Sequence, residues 1–221
     1  MTDFVAARRM MVDGQVRTSD VTDPRIIDAM LAVPREDFVP ESKRALSYLD
    51  LDLDVSENAA VKRYLLKPQL TAKLLQAATI AANDNILIVG CATGYVAALA
   101  ARLAAKVTAI ETDSALVARG QAVLAAGGIQ NVTLKAAELV QGDPQNAPYD
   151  VIILGGATET TTEILCGQLK EGGRLVGVFA TTRPPRAMVV TRSHGEFRTR
   201  ILFDAAAPIL PGFVRVPAFV F

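Results

Sequence analysis

The chain has 221 residues, 51% of them hydrophobic and 21% charged, with 23 Lys plus Arg balanced by 23 Asp plus Glu. That composition excludes a disordered chain and fits one sizeable core with a smaller appendage. A net charge of zero lacks the basic excess that supplies most nucleic-acid affinity, so no nucleic-acid partner is expected. Two cysteines and one histidine make neither a disulfide framework nor a histidine-built metal site, so no metal is expected.

The opening MTDFVAARRMMVDGQVR is amphipathic and charged and has no apolar targeting core. The most apolar stretch, Ile86 to Ala101, is broken by two glycines and a threonine, which argues against a membrane span. No membrane partner and a cytoplasmic location are the expectations.

In chain order, Val5 to Arg17 reads as a helix. TDPRIIDAMLAV reads as a second, with Asp23 as cap, Pro24 at the first helical position, and Ile26, Ile27, Met30 and Leu31 on one face. The run from Pro34 to Tyr64 has little periodicity and reads as a loop-rich cover, often a functional kind of segment. Pro68 opens a helix with Leu70, Leu74 and Leu75 inward.

From Asn85 strands and helices alternate. ILIVG is a buried strand and Gly94 to Ala105 a helix. VTAIE is a strand and Ser114 to Ala126 a helix. VTLKAA and YDVIILGG are strands, TETTTEILCGQL a helix, and GRLVGVFA a strand. This alternation predicts a parallel sheet covered on both faces. AMVVTRSHGEFRTRILFD reads as a hairpin about Ser193–Gly195, closing the sheet with an antiparallel edge. The expected division is 1–66, a helical and loop-rich appendage over the active site, and 67–221, the sheet domain.

The turn Gly90-Cys91-Ala92-Thr93-Gly94 follows the first buried strand and opens a helix, and Glu111 ends the next strand. Small residues let a ligand approach the backbone, the helix N-terminus favours negative charge, and an acid so placed meets ribose hydroxyls. A dinucleotide fingerprint wants glycine at the sixth position, which is Tyr95 here. Glycine at the fifth, Gly94, fits the G-x-G-x-G turn associated with S-adenosylmethionine, with Ala92 in place of the middle glycine. A plain tight strand-to-helix connection is the bland alternative.

MMVDGQVRTSDVTDPRIIDAMLAVPREDFVP, Met10 to Pro40, together with APYDVIIL and QLKEGGRLV, resembles the protein-L-isoaspartate (D-aspartate) O-methyltransferase family from about Met10 to about Ala180. The resemblance implies a Rossmann-like class I methyltransferase fold, S-adenosylmethionine as cofactor, and a protein or peptide isoaspartyl carboxylate as substrate. Gly90 and Gly94 match the family's glycine turn and Glu111 its ribose-binding acid. Glu138 stands where the family has an acid beside the adenine, and Gly142 is kept.

The active-site segment departs from the family. Aligned on Pro68 and Ala72, YLLKPQLTA puts Leu66 at the family's serine position and Thr71 at its histidine position. Ile88 replaces an acid that often precedes the glycine turn. Arg63 and Lys67 flank the altered position as candidate partners for a substrate carboxylate, the plainer reading being that both are solvated surface charges. The readings to separate are isoaspartyl O-methylation, methylation of another acceptor selected by Leu51 to Lys67, and cofactor binding without catalysis. His194 is expected in an exposed turn, Cys91 to be small rather than nucleophilic, and Cys166 to be buried on a helix.

Overall fold

The structure is a computed structural model that describes residues 3–57 and 61–215. Residues 58–60, inside the segment expected to select the acceptor, lie outside the described residues, as do the outer ends of the expected two-part division.

The N-terminal helix α1 spans Phe4–Met11, capped by Asp3. It does not continue as a regular α-helix to Arg17. Val12–Val16 form a π turn and Arg17–Ser19 a 3₁₀ turn ending at Asp20 with φ 61°. The register change buries Met11, Val12 and Val16 together. Helix α2 spans Pro24–Ala32, and the Asp23 carboxylate accepts from the Arg25 amide at 2.9 Å. Such a cap contributes about 1 kcal/mol. Ile26, Ile27, Ala29 and Met30 are buried, whereas Leu31 is only half-buried.

Two 3₁₀ turns follow, Arg35–Phe38 and Glu41–Leu46, and then a minimal ribbon, β1 (Leu53–Asp54) paired antiparallel with β2 (Tyr64–Leu65). Helix α3, Pro68–Ala77, buries Leu70, Leu74 and Leu75 as its spacing predicts.

The sheet proper is built from β3 (Asn85–Val89), β4 (Lys106–Glu111), β5 (Val132–Ala136), β6 (Tyr149–Thr158), β7 (Leu169–Phe179), β8 (Arg186–Ser193) and β9 (Glu196–Asp204). Helix α4 (Tyr95–Ala101) joins β3 to β4, and α5 (Ser114–Ala126) joins β4 to β5. The strand order is β5-β4-β3-β6-β7-β8-β9. The strands from β5 to β7 run parallel, and β8 and β9 add antiparallel pairs. The β8–β9 turn uses His194 (φ 56°) and Gly195 (φ 78°), and His194 is exposed.

Strand β3 is the hinge of the topology. The chain leaves it for β4 and β5 on one side and returns to β6 on the other. Ile86 and Ile88 pack into the core beneath α1–α5, while Leu87 and Val89 pack into a second core with Leu165, Leu210 and Phe213. Cover is therefore uneven. One face holds the long helices. The other holds a turn at Leu139–Gln141, the short helix α6 (Glu163–Cys166) and the segment around Leu210.

The expected helix over TETTTEILCGQL shrinks to those four residues. Strand β6 runs on to Thr158, whose hydroxyl donates to the Thr160 carbonyl at 2.9 Å. The β-branched threonine run favours extended and turn geometry over helix. Among the described residues no helix is long and apolar enough to cross a membrane.

Candidate cofactor and active site

In an open parallel sheet, ligands enter at the carboxyl ends of the strands beside the point where strand order reverses. Here that point lies between β3 and β6. The turn after β3 is tight. Gly90 has φ 76° and Gly94 φ 92°, and Gly94 is the N-cap of α4. Between them Ala92 adopts φ 51°, the left-handed region that costs a side-chain-bearing residue about 1–2 kcal/mol. The middle position thus keeps the backbone that a glycine would give, without the glycine. Strand β6 passes so close that a Cβ on Gly155 would stand 2.2 Å from the Gly90 carbonyl oxygen.

Glu111 ends β4 directly beneath this turn and is fully buried. Its Oε2 accepts from the Ala92 amide at 2.7 Å, and its Oε1 accepts from the amide and hydroxyl of Thr112 at 2.9 and 3.1 Å. Arg63 then closes on both oxygens, Nε to Oε1 at 2.9 Å and Nη2 to Oε2 at 2.8 Å. Arg63 is itself only 2% exposed. It is therefore neither a solvated charge nor presented to a substrate in this conformation, because its partner is Glu111.

The space above the glycine turn is filled as well. A Cβ built on Gly90 would meet Leu210 Cδ2 at 2.4 Å, Arg63 Nη2 at 2.9 Å and Leu139 Cδ1 at 3.4 Å. Leu210 reaches the crevice because its segment runs beside the end of β6, its amide donating to the Ala157 carbonyl at 2.9 Å. A cavity of about 770 Å³ opens elsewhere, between the Arg35–Phe38 turn and α5, lined by Val33, Val39, Arg119 and Val123 among others. The residues that would cradle a nucleoside are in place, and Arg63 and Leu210 crowd against Gly90 between them. Both side chains would have to shift for a ligand to lie against Gly90 and reach the Glu111 oxygens.

The remaining candidates are spread around this centre. Glu138 precedes the Leu139–Gln141 turn and is exposed. Leu66 and Thr71 are both buried, and the Thr71 hydroxyl is turned inward to the Leu66 carbonyl at 3.3 Å. Lys67 caps α3 and is half-buried, its amide held by Asp52 Oδ1 at 2.8 Å. Burial pushes the Asp52 carboxyl up, opposed by Lys67 and Arg35. Cys91 is buried in the turn, and burial, then the nearby Glu111 charge, push its thiol up. It is no nucleophile at neutral pH. Burial also raises Cys166.

Two features were not singled out in the sequence. Arg35, inside VPREDFVP, is fully buried. Its Nε donates to the Ser47 carbonyl at 2.8 Å, its Nη2 to the Leu66 carbonyl at 2.9 Å, and its guanidinium lies 4.8 Å over the Tyr95 ring. Desolvation lowers its pKa, with Tyr95 and Tyr48 opposing. Thr93 in the glycine turn donates to the Phe38 carbonyl at 2.5 Å. These contacts explain why VPREDFVP has its spacing: it fastens the cover segment to the turn and to Leu66. The other missed feature is Leu210, in a stretch with no distinctive pattern.

A seven-stranded, mostly parallel sheet with a small-residue turn at its switch point and an acid closing the next strand defines a Rossmann-like class I methyltransferase. Within that class the comparisons are specific. The model of the protein-L-isoaspartate(D-aspartate) O-methyltransferase family matches residues 7–205, and the chain belongs to this family. It is 34% identical over 212 residues to the protein-L-isoaspartate O-methyltransferase of Roseiflexus sp. (strain RS-1), covering 95% of this chain and 94% of the relative. It is 37% identical over 193 residues to protein-L-isoaspartate O-methyltransferase 1 of Rhodopseudomonas palustris (strain HaA2), covering 87% and 77%.

Among solved structures, a protein-L-isoaspartate O-methyltransferase superposes with a TM-score of 0.82 at 23% identity, over 93% of this chain and 66% of that one. A Plasmodium falciparum β-aspartate methyltransferase in complex with S-adenosyl-L-homocysteine gives 0.76 at 18% identity, over 95% and 99%. At those identities the structures establish the fold alone. The family is one of methyl-transferring enzymes whose cofactor is S-adenosylmethionine.

Proposed function

We propose that this chain acts in the cytoplasm as an S-adenosylmethionine-dependent carboxyl methyltransferase on isoaspartyl residues of damaged proteins or peptides, with weak turnover. The observation that carries the reading is Glu111, bonded to the Ala92 amide at 2.7 Å at the switch point, in a chain that matches the family over 7–205. In this reading Gly90, Ala92 and Gly94 form the cofactor turn, Glu111 takes the ribose, and Glu138 lies toward the adenine. Lys67 is the candidate cation for the substrate carboxylate. A net charge of zero supports a protein or peptide acceptor over a nucleic acid.

A carboxylate acceptor is already ionised at pH 7, since an ordinary carboxyl pKa is about 4. No general base is required, and the protein's contribution is alignment and exclusion of water. Leu66 and Thr71 in place of serine and histidine therefore remove groups that hold the substrate, not groups that activate it. A carboxylate carried into an apolar site without donors is costly, which is why weak turnover is the expectation.

Labelled methyl transfer to an isoaspartyl peptide, paired with calorimetric titration of the cofactor, tests this. The Leu66→Ser, Thr71→His double variant should raise transfer. Robust wild-type turnover would overturn the view that the altered segment limits the rate. The same altered segment favours a second reading, in which the chain binds the cofactor and methylates another acceptor or none. Cofactor binding without any isoaspartyl transfer, even in the double variant, would select it.

A further inference from the structure

We propose that Arg63 and Leu210 form an internal plug in the cofactor crevice, so that S-adenosylmethionine or its demethylated product gains the site only as these two side chains withdraw. The proposal rests on the reading of Glu111 as the ribose acid.

Three observations carry it. First, both Glu111 oxygens are already engaged by the Arg63 fork at 2.9 and 2.8 Å. A ribose diol asks for the same lone pairs, so ribose and guanidinium are alternatives. Second, Leu210 and Arg63 both stand where a Cβ on Gly90 would be, at 2.4 and 2.9 Å. A glycine there serves a ligand's close approach, yet in this chain the approach is made by its own side chains. Third, the two arrive from segments far apart in the sequence, both outside the main strand ladders. The Arg63 carbonyl accepts the Val55 amide at 2.8 Å beside a two-residue ribbon. Leu210, fully buried, sits beside the lone bridge of Ala157 with Ile209, its amide donating to the Ala157 carbonyl at 2.9 Å and its carbonyl accepting from the Phe213 amide at 3.0 Å. Neither belongs to the sheet's continuous ladders, so each can move without unpairing a long strand.

The Arg63 guanidinium therefore plays the part of a competing intramolecular ligand. The apparent affinity for cofactor is the intrinsic affinity divided down by the fraction of molecules with the crevice open. Removing the competitor should tighten binding, the opposite of what loss of a merely structural residue would do.

The probe is S-adenosyl-L-homocysteine, titrated calorimetrically into the full chain. Arg63→Ala is expected to bind about tenfold or more tighter than wild type, Leu210→Ala to bind tighter by a smaller factor, and the pair together tightest of all. In the wild type the Arg63 Nε–H resonance should leave its ion-paired position on saturation, a measurement that does not depend on any variant folding. Equal affinities in wild type and both folded variants, or an Nε–H signal unmoved at saturation, would overturn the plug while leaving the cofactor reading intact. Absence of binding in every folded variant would instead overturn the cofactor reading itself, and the plug with it.

Discussion

The two ends of the crevice differ although each carries an acid. At one end, Glu111 is fully buried, bonded to the Ala92 amide, to Thr112 and to both arms of the Arg63 fork. At the other, Glu138 is exposed and the Leu139–Gln141 turn follows it. The same residue type at the carboxyl end of neighbouring strands is thus a sealed ion pair in one place and a solvated side chain in the other. A motif sets where an acid lies in the fold. What occupies its lone pairs is decided by segments far away in sequence, 48 residues away for Arg63.

The largest effect should come from breaking the sealed end. Glu111→Ala leaves the Arg63 guanidinium buried without a counter-charge, and removing one partner of a buried pair costs about 3–5 kcal/mol. Urea unfolding should show that loss together with lost binding of S-adenosyl-L-homocysteine. An Arg63→Met, Glu111→Leu double variant should recover most of the stability, because well-packed apolar replacements of a buried pair are often neutral. A double-mutant cycle reads the coupling. If the single and double variants lose the same stability, the pair is not the main interaction sealing that end.

A second buried acid lies further along the segment that follows Glu138, and it gives a pH test. Asp143 follows Gly142 and is 3% exposed. Burial pushes its carboxyl up, but bonds from Lys135 Nζ at 2.7 Å, Asn146 Nδ2 at 2.9 Å and Tyr149 Oη at 2.9 Å outweigh this and hold it below the usual range. A lowered folded pKa means the stabilisation is fully present above the unfolded value of about 4 and is lost as pH falls through the folded value. Asp143→Asn should cost about 1–3 kcal/mol at neutral pH and flatten the acid limb of the stability curve. An unchanged acid limb would place the titration elsewhere.

The scaffold was legible because it is written in local patterns. Asp23-Pro24 gave the start of α2, Ser114 to Ala126 gave α5 to the residue, and the β3–turn–α4–β4 run gave the turn at the switch point. The occupancy of the crevice was not legible. Arg63 lies in a segment without periodicity, flanked by charges, and nothing within ten residues hints that its partner is Glu111. Leu210 has the same defect, because a lone bridge leaves no period in the sequence. The four-residue α6 is shorter than expected because β6 runs on through Thr158 and the threonines from Thr160 to Thr162 form the connection between them.

A smaller effect isolates the turn itself. Ala92 holds φ 51°, so Ala92→Gly removes left-handed strain of about 1–2 kcal/mol, offset in part by the greater freedom of glycine in the unfolded chain. A net gain of roughly 0.5–1 kcal/mol is expected in urea unfolding. A loss would show that the alanine methyl packs in the turn well enough to outweigh the strain.

The smallest expected effect belongs to the open end, and it is the sharpest check on the comparison. Glu138 is exposed and its one hydrogen bond among the described residues is a backbone one, its carbonyl accepting from the Gln141 amide at 3.1 Å, so Glu138→Ala should leave stability within about 0.5 kcal/mol of wild type. Its effect on S-adenosyl-L-homocysteine affinity should fall below that of Glu111→Ala, because an exposed acid competes with water for any ligand hydrogen bond. Measured in the Arg63→Ala background, where no guanidinium competes for Glu111, the difference between the two acids should widen. Equal losses from Glu138→Ala and Glu111→Ala in that background would mean that ligand binding remakes the Glu138 end into a second buried site, and that the contrast between the two ends belongs only to the ligand-free protein.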